Sequence, residues 1–231
     1  MSEQSTPEGV DIAGRTVAVL GGTGDQGRGL ARRFALAGQS VIIGSRSAER
    51  AASVAKELVE AEDTRVDVRG MDNAAAAAEG DIVIVAVPWE GHRELLEGLA
   101  DQLADKIVVD CVNPLGFDKR GPFALDVPEG SAAQQAAEVL PRSRVTAAFH
   151  HVSAVVLLDP EVSEVELDVL VLGEDREATD AVRALADLIP GVRGVFGGRL
   201  RNAHQVEALT ANLIAVNRRY KTHAGIRITG L

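Results

Sequence analysis

Apolar positions along this chain fall into two alternating patterns. Short unbroken runs of aliphatic and β-branched residues at 16–20, 40–43, 81–87 and 106–110 predict buried strands, and 66–68 adds a weaker one. Between them lie stretches with helical spacing. Leu30, Phe34 and Ala37 predict a helix over 28–37 that Gly38 ends, and 48–62, 73–79 and 93–103 predict three more. Pro88 stops the strongest strand. The alternation implies a parallel sheet with right-handed crossovers. Residues 111–130, with Pro114, Gly116, Gly121, Pro122, Pro128 and Gly130, read as a long loop, which in a compact fold points to function or mobility. Beyond it the pattern predicts a helix over 131–140 capped by Ser131, strands at 144–149 and 167–172, a helix over 175–189 and a strand at 192–196. A long closing helix over 202–220 carries Leu209, Leu213, Val216 and Tyr220 on one stripe.

Composition narrows this picture. Of 231 residues, 46% are apolar, but only five are Phe, one Tyr and one Trp. The core is therefore built from Ala, Val, Leu and Ile, as a helix-wrapped parallel sheet requires. One cysteine excludes an internal disulfide and points to a reducing compartment. No apolar run reaches the length of a membrane span, and the polar, acidic N-terminus lacks the pattern of a signal peptide. A cytoplasmic protein is expected. Lys and Arg total 24 against 34 Asp and Glu, a net charge of −10, which argues against nucleic acid or an acidic membrane as partner. The charge is uneven: residues 195–231 hold six basic residues and one acid. That segment is either a solvated helix face or a local anion site on a repelling protein.

The chemistry begins after the first strand. Gly22-Thr23-Gly24-Asp25-Gln26-Gly27 is a GxGxxG between a strand and a helix in the first βαβ unit, the setting that makes it a dinucleotide fingerprint. Gly22 permits the turn, Gly24 lets a diphosphate approach the backbone, and Gly27 allows close helix–strand packing. The helix N-terminus then directs free N–H groups at the diphosphate. An NAD site places a carboxylate about 20 residues on, at the end of the second strand. Here Gly44 is followed by Ser45 and Arg46, with Arg50 one turn later, so the arrangement suits the extra phosphate of NADP. The alternative is that both arginines pair with Glu49 on the surface. Ligands of such folds lie beyond the strand ends, which draws attention to Val87-Pro88-Trp89, to Asn113 and to His150-His151-Val152. Adjacent residues on an extended strand point to opposite faces, so the two histidines are not expected to share a metal. A hydrogen bond from one of them to substrate and a structural role are both open. Cys111 reads as a buried small residue rather than a nucleophile. No metal site and no hydrolytic constellation is expected.

These motifs resemble one family, the NADPH-dependent reductases of coenzyme F420. The strings VAVLGGTGDQGRGLARRFALAG, VIIGSRSAER, DIVIVAVPWEGH, VTAAFHHVSA and VEALTANLIAVNRRYKTHAGIRITG carry the resemblance, from about residue 15 to 231. It implies an α/β fold: a Rossmann-type doubly wound parallel sheet with a small C-terminal α/β domain. The divisions expected are a flexible arm at 1–14, an NADP-binding domain at 15–148, and a domain at 149–231 completing the deazaflavin site. It implies hydride transfer between NADP(H) and F420 as co-substrate, in a homodimer whose partners are small-molecule cofactors only. By resemblance, Thr23, Gly24, Asp25 and Gln26 line the pyrophosphate, and Ser45, Arg46 and Arg50 hold the 2′-phosphate. Val87, Pro88, Asn113 and Ala154 border the nicotinamide path, while Trp89, His150, Val152 and Leu209 face the deazaflavin. Two stacked rings need only alignment and exclusion of water, so no acid or base is required and His150 at most orients. Arg218, Arg219 and Lys221 are expected to attract the phosphate and glutamates of F420. A dehydrogenase of the β-hydroxyacid or pyrroline-carboxylate type and a non-catalytic NADPH sensor remain the alternatives.

Overall fold

The run at 16–20 reads as unbroken because both of its faces are buried. In β1 (Thr16–Leu20), Val17 and Val19 enter one apolar layer and Ala18 and Leu20 the other; β2 (Ser40–Ser45) and β4 (Ile82–Val85) divide in the same way. A computed structural model describes residues 10, 12–62 and 66–231. Its remaining strands are β3 (Val68–Asp72), β5 (Ile107–Asp110), β6 (Leu115–Asp118), β7 (Gly121–Ala124), β8 (Arg144–Ala147), β9 (Leu167–Gly173) and β10 (Val192–Gly198). The helices are α1 (Asp25–Leu36), α2 (Ala48–Ala61), α3 (Asn73–Glu79), α4 (His92–Gly98), α5 (Ala132–Val139), α6 (Ala154–Leu158), α7 (Arg176–Asp187) and α8 (Ala203–Tyr220). Local chemistry starts several of them. Ser47 caps α2, Asp72 caps α3, Ser131 caps α5 as expected, and Asp175 caps α7.

Eight strands form one sheet in the order β10-β9-β8-β5-β4-β1-β2-β3. The chain starts in mid-sheet at β1, winds out to β3, then returns to β4 on the other side of β1. This is the doubly wound, Rossmann-type α/β fold, with its switch point between β1 and β4. The register aligns Leu20 with Val85, Val85 with Asp110 and Asp110 with Ala147, so four strands end in one row. β9 and β10 continue the same sheet.

The structure departs from the sequence pattern at several places. The sheet is not parallel throughout: β9 runs antiparallel to β8. The intervening chain holds only the five-residue α6, which packs on α1 and supplies no return crossover. The strands expected over 81–87 and 144–149 stop at Val85 and Ala147; in the second, Phe149 takes a left-handed φ of 65° and turns the chain. The helix expected over 93–103 ends at Gly98. The loop expected at 111–130 contains the β6–β7 hairpin, closed by the Asp118 carboxylate accepting from the N–H groups of Arg120 and Gly121, with Gly121 at φ 123°. The closing stripe of α8 is not core along its length: Ala203, Val206 and Glu207 are its buried residues, and Tyr220 is 72% exposed. Of the arm expected at 1–14, Val10 and Ile12 pack against the core, while residues 1–9 and 11 lie outside the described residues.

A buried carboxylate ties the C-terminal tail to the sheet. Asp168 on β9 accepts from both Arg193 Nε and Nη2, from Arg227 and from the Ile228 N–H, and its own N–H donates to Ile226 O at 2.8 Å. Burial pushes its carboxyl up, but these bonds outweigh it and hold it down at about 2.

Candidate functional site

At the end of β1 the backbone must reverse against a neighbouring strand. Gly21 does so at φ 70°, where a Cβ would lie 2.6 Å from Ala86 O. Gly22 then donates to Gly44 O at 2.9 Å, tying the turn to the end of β2, and Asn73 Oδ1 accepts from the Gly21 N–H at 3.4 Å. The next glycines differ in what they exclude. A Cβ on Gly27 would lie 2.7 Å from Gly22 Cα, so this glycine serves packing. A Cβ on Gly24 would meet only Gly21 O, at 3.6 Å, and its φ of −82° suits any residue. Nothing inside the protein requires glycine there. It caps α1 without a side chain and leaves open space at the helix N-terminus, which is the cradle a diphosphate needs. Asp25 starts α1, and Thr23 is half-buried beside it.

At the end of β2, Ser45 is buried and its hydroxyl accepts from the Ser47 N–H at 3.4 Å. Arg46 and Arg50 are exposed, and neither guanidinium has a hydrogen-bond or carboxylate partner among the described residues. The surface pairing with Glu49 does not form; that carboxylate accepts from the Ser47 hydroxyl, which holds it below its usual pKa. Two free cations and a hydroxyl beside the open turn fit a phosphorylated ribose.

The aligned strand ends enclose a cavity of about 330 Å³. Its walls come from Gln26, from Ala86 and Val87 after β4, from Cys111–Asn113 after β5, from His150–Ser153 after β8, and from Thr210, Leu213, Ile214 and Asn217 on α8. The floor is cross-braced: Gln26 Nε2 donates to Phe149 O at 3.3 Å, and His150 O accepts from Asn113 Nδ2 at 2.8 Å and Thr210 Oγ1 at 3.0 Å. His150 and His151 are 3% and 5% exposed, and all four ring nitrogens lack a partner among the described residues. Burial lowers both pKa values to about 4, so both imidazoles are neutral at pH 7, each with one donor and one acceptor to offer. The extended strand on which the expectation of opposite faces rests has already ended at Ala147, and Phe149 turns the chain in a left-handed conformation, so both residues contribute to the lining of the cavity. Among the described residues no group of three His, Cys, Asp or Glu converges on a metal position. Cys111 is buried, donates to Val85 O at 3.0 Å, and burial pushes its thiol far up, which keeps it inert.

Such a cavity beside a dinucleotide cradle invites comparison with known proteins. A family profile described as "NADP oxidoreductase coenzyme F420-dependent" matches residues 16–114. An F420-dependent NADP reductase of Methanothermobacter thermautotrophicus is 44% identical over 93% of this chain and 95% of its own length. One from Methanocaldococcus jannaschii is 42% identical over 93% of this chain and 98% of its own length. The chain belongs to the coenzyme F420-dependent NADP oxidoreductase family. Among solved structures, a candidate F420-dependent NADP-reductase of Arthrobacter sp. FB24 superposes with a TM-score of 0.79 at 26% identity, covering 94% of this chain and all of that one. A pyrroline-5-carboxylate reductase of Coxiella burnetii shares the fold alone, at a TM-score of 0.59 and 14% identity.

In this F420-dependent oxidoreductase, several residues singled out from the sequence stand off the cavity wall. Leu209 is half-buried one turn before Leu213, which does line it. Ala154 begins α6, behind Ser153. Pro88 is exposed, and Trp89 sits in a short 3₁₀ turn with its ring 5.5 Å from the imidazole of His92. His92 is itself wholly buried. Its nitrogens meet Asp110 Oδ2 at 2.6 Å and Gln135 Oε1 at 2.9 Å, an arrangement that favours a positive charge on the ring. Burial works against that charge, and the adjoining Asp110 carboxylate outweighs it, raising the pKa. Asp110 Oδ1 in turn accepts from the Val112 N–H, fixing the wall segment after β5. Glu207, buried on α8, accepts from the N–H groups of Ala132 and Ala133 at the start of α5. Burial pushes its carboxyl up to about 7. Sequence reading singled out His151 with His150 but missed this braced network and missed Thr210, Ile214 and Asn217. A polar residue on a helix stripe carries no local sign that it faces a cavity.

Proposed function

We propose that the protein transfers a hydride reversibly between NADP(H) and the deazaflavin of coenzyme F420, with both ligands held at the row of strand ends. The hydride chemistry is supplied by the nicotinamide and deazaflavin rings when bound. The observation that carries the reading is the cavity with two neutral, unpartnered imidazoles beside a cradle flanked by two unpartnered arginines. In this reading Gly22, Thr23, Gly24, Asp25, Gln26 and Gly27 receive the diphosphate, and Ser45, Arg46 and Arg50 grip the 2′-phosphate. Val87, Asn113, His150 and Val152 form the walls where the two rings meet. Neutral His150 and His151 serve as hydrogen-bonding partners to ring substituents. They orient ligands and move no proton in the transfer. Gln26, Asn113 and Thr210 hold the His150 segment in place, so the wall keeps its shape without bound ligand. The pyrroline-carboxylate reading is not favoured: the relatives 42–44% identical over 93% of this chain are named F420-dependent NADP reductases, whereas the pyrroline-5-carboxylate reductase shares the fold alone.

On this reading residues 15–148 bind the dinucleotide and 149–231 complete the deazaflavin wall. We also read the chain as a cytoplasmic homodimer handling small molecules only. The support is a buried free cysteine, a net charge of −10, and Phe117 and Phe123 exposed on the hairpin. No helix among the described residues is long and apolar enough to cross a membrane.

The test is absorbance. Protein mixed with NADPH and oxidised F420 is expected to consume both at equal rates, and no consumption with either one alone is expected. Replacing Arg46→Ala together with Arg50→Ala removes charge-assisted bonds of about 1.5–3 kcal/mol each. The KM for NADPH is then expected to rise at least tenfold while that for NADH changes little. Equal effects on the two cofactors overturn the assignment of the phosphate grip.

A further inference from the structure

Two basic segments about a hundred positions apart in sequence meet beside the cavity. The hairpin turn presents Lys119 and Arg120, both exposed. α8 packs against β7, and a Cβ built on Gly121 would lie 3.9 Å from Arg218 Nη1. Arg218 and Arg219 close the last turn of α8, and Lys221 ends it in a left-handed conformation at φ 56°. Arg218, Arg219, Lys221 and Lys119 have no carboxylate partner among the described residues, and Arg120 reaches only Asp118 of its own turn, at 3.5 Å. A helix dipole accounts for cations in the last turn of α8. It does not account for two more on a separate hairpin laid against them, where like charges repel unless an anion lies between.

The cavity leads to this place from both sides. Its lining runs along α8 from Thr210 to Asn217, the residue before Arg218, and Asn113 continues through Pro114 into β6. We propose that the β6–β7 turn and the end of α8 form a two-sided cationic clamp for a flexible polyanionic tail attached to the ring held in the cavity. This rests on the F420 reading above, in which the deazaflavin carries a phosphodiester followed by glutamates. Lys119 and Arg120 on one side and Arg218, Arg219 and Lys221 on the other hold the tail, and the cavity holds only the ring end. Exposed pairs are individually weak and screened by salt, so five together give about a tenfold effect at low ionic strength.

Two probes separate clamp from ring site: coenzyme F420 with its glutamate tail, and the corresponding tail-less deazaflavin lacking phosphate and glutamates. Binding is read from deazaflavin fluorescence at low and at high salt. For the parent protein, affinity for the tailed probe is expected to fall with salt and affinity for the tail-less one to stay level. Lys119→Gln with Arg120→Gln, and separately Arg218→Gln, Arg219→Gln and Lys221→Gln together, are each expected to weaken the tailed probe several-fold. All five together are expected to cost about tenfold, with the tail-less affinity and the melting temperature unchanged. Unchanged tailed affinity in the five-fold variant overturns the clamp. So does an effect from the helix set with none from the hairpin set, or equal loss of both probes. If the parent binds neither probe, the F420 reading itself fails, which is distinct from failure of the clamp.

Discussion

At the scale of single residues, the cradle separates glycines that keep the fold from one that admits a ligand. Gly24→Ala places a methyl no nearer than 3.6 Å to the rest of the protein at an ordinary φ, so melting is expected to shift little. The methyl instead fills the space at the start of α1, and NADPH affinity is expected to drop tenfold or more. Gly27→Ala drives a methyl to 2.7 Å from Gly22 Cα and is expected to cost about 1–3 kcal/mol of stability as well as affinity. Calorimetric melting and NADPH titration of the two variants check the distinction. The glycine spacing was legible in the sequence because the GxGxxG string stands between a strand and a helix, although Gly24 and Gly27 are glycine for different reasons. The roles of His151 and Thr210 were not. They depend on where β8 stops, and that is set by the left-handed turn at Phe149, whose ring packs edge-on against Phe34 at 5.8 Å. A phenylalanine at positive φ has no propensity that announces it.

At the scale of elements, strands were read well and connections poorly. β1, β2, β4 and β5 are doubly buried, so their apolar runs stand out, whereas α6 is five residues long and is held by Arg33 donating to the carbonyls of Leu157, Val156 and Val162. That support is long-range and leaves no periodic trace. The hairpin was hidden by its own Gly and Pro content. The C-terminal tail is a second long-range device: Asp168 gathers two arginines and a backbone N–H. Asp168→Asn leaves cations partly unpaired near a buried site and is expected to cost about 3–5 kcal/mol at pH 7 by urea unfolding. Because the folded carboxyl sits at about 2 against an unfolded value near 3.8, its contribution is complete above about pH 4 and lost as pH falls toward 2. The difference between parent and variant is expected to narrow in that window.

For the whole molecule, these titrations give acid unfolding more than one phase. His150 and His151 titrate at about 4 when folded and near 6.5 when unfolded, so the unfolded chain takes up protons first. Stability is full above about pH 6.5 and falls as pH drops through about 4, before Asp168 is affected. Glu207 works the other way, since its folded carboxyl at about 7 binds a proton before the unfolded one near 4.5. His151→Gln removes one of these liabilities. Relative to the parent, the variant is expected to gain up to about 3 kcal/mol between pH 6.5 and 4, measured as the difference of two denaturation series. The long helix over the cavity is pinned near its start, where Glu207 accepts from α5, and at its end, where Asn217 Oδ1 accepts from the Ala224 N–H of the clamped tail. It is thus a beam fixed at both supports rather than a hinged cover. On the proposed reading, ligands enter a standing doorway and their arrival freezes little of the host, so little of the binding free energy goes into ordering the protein.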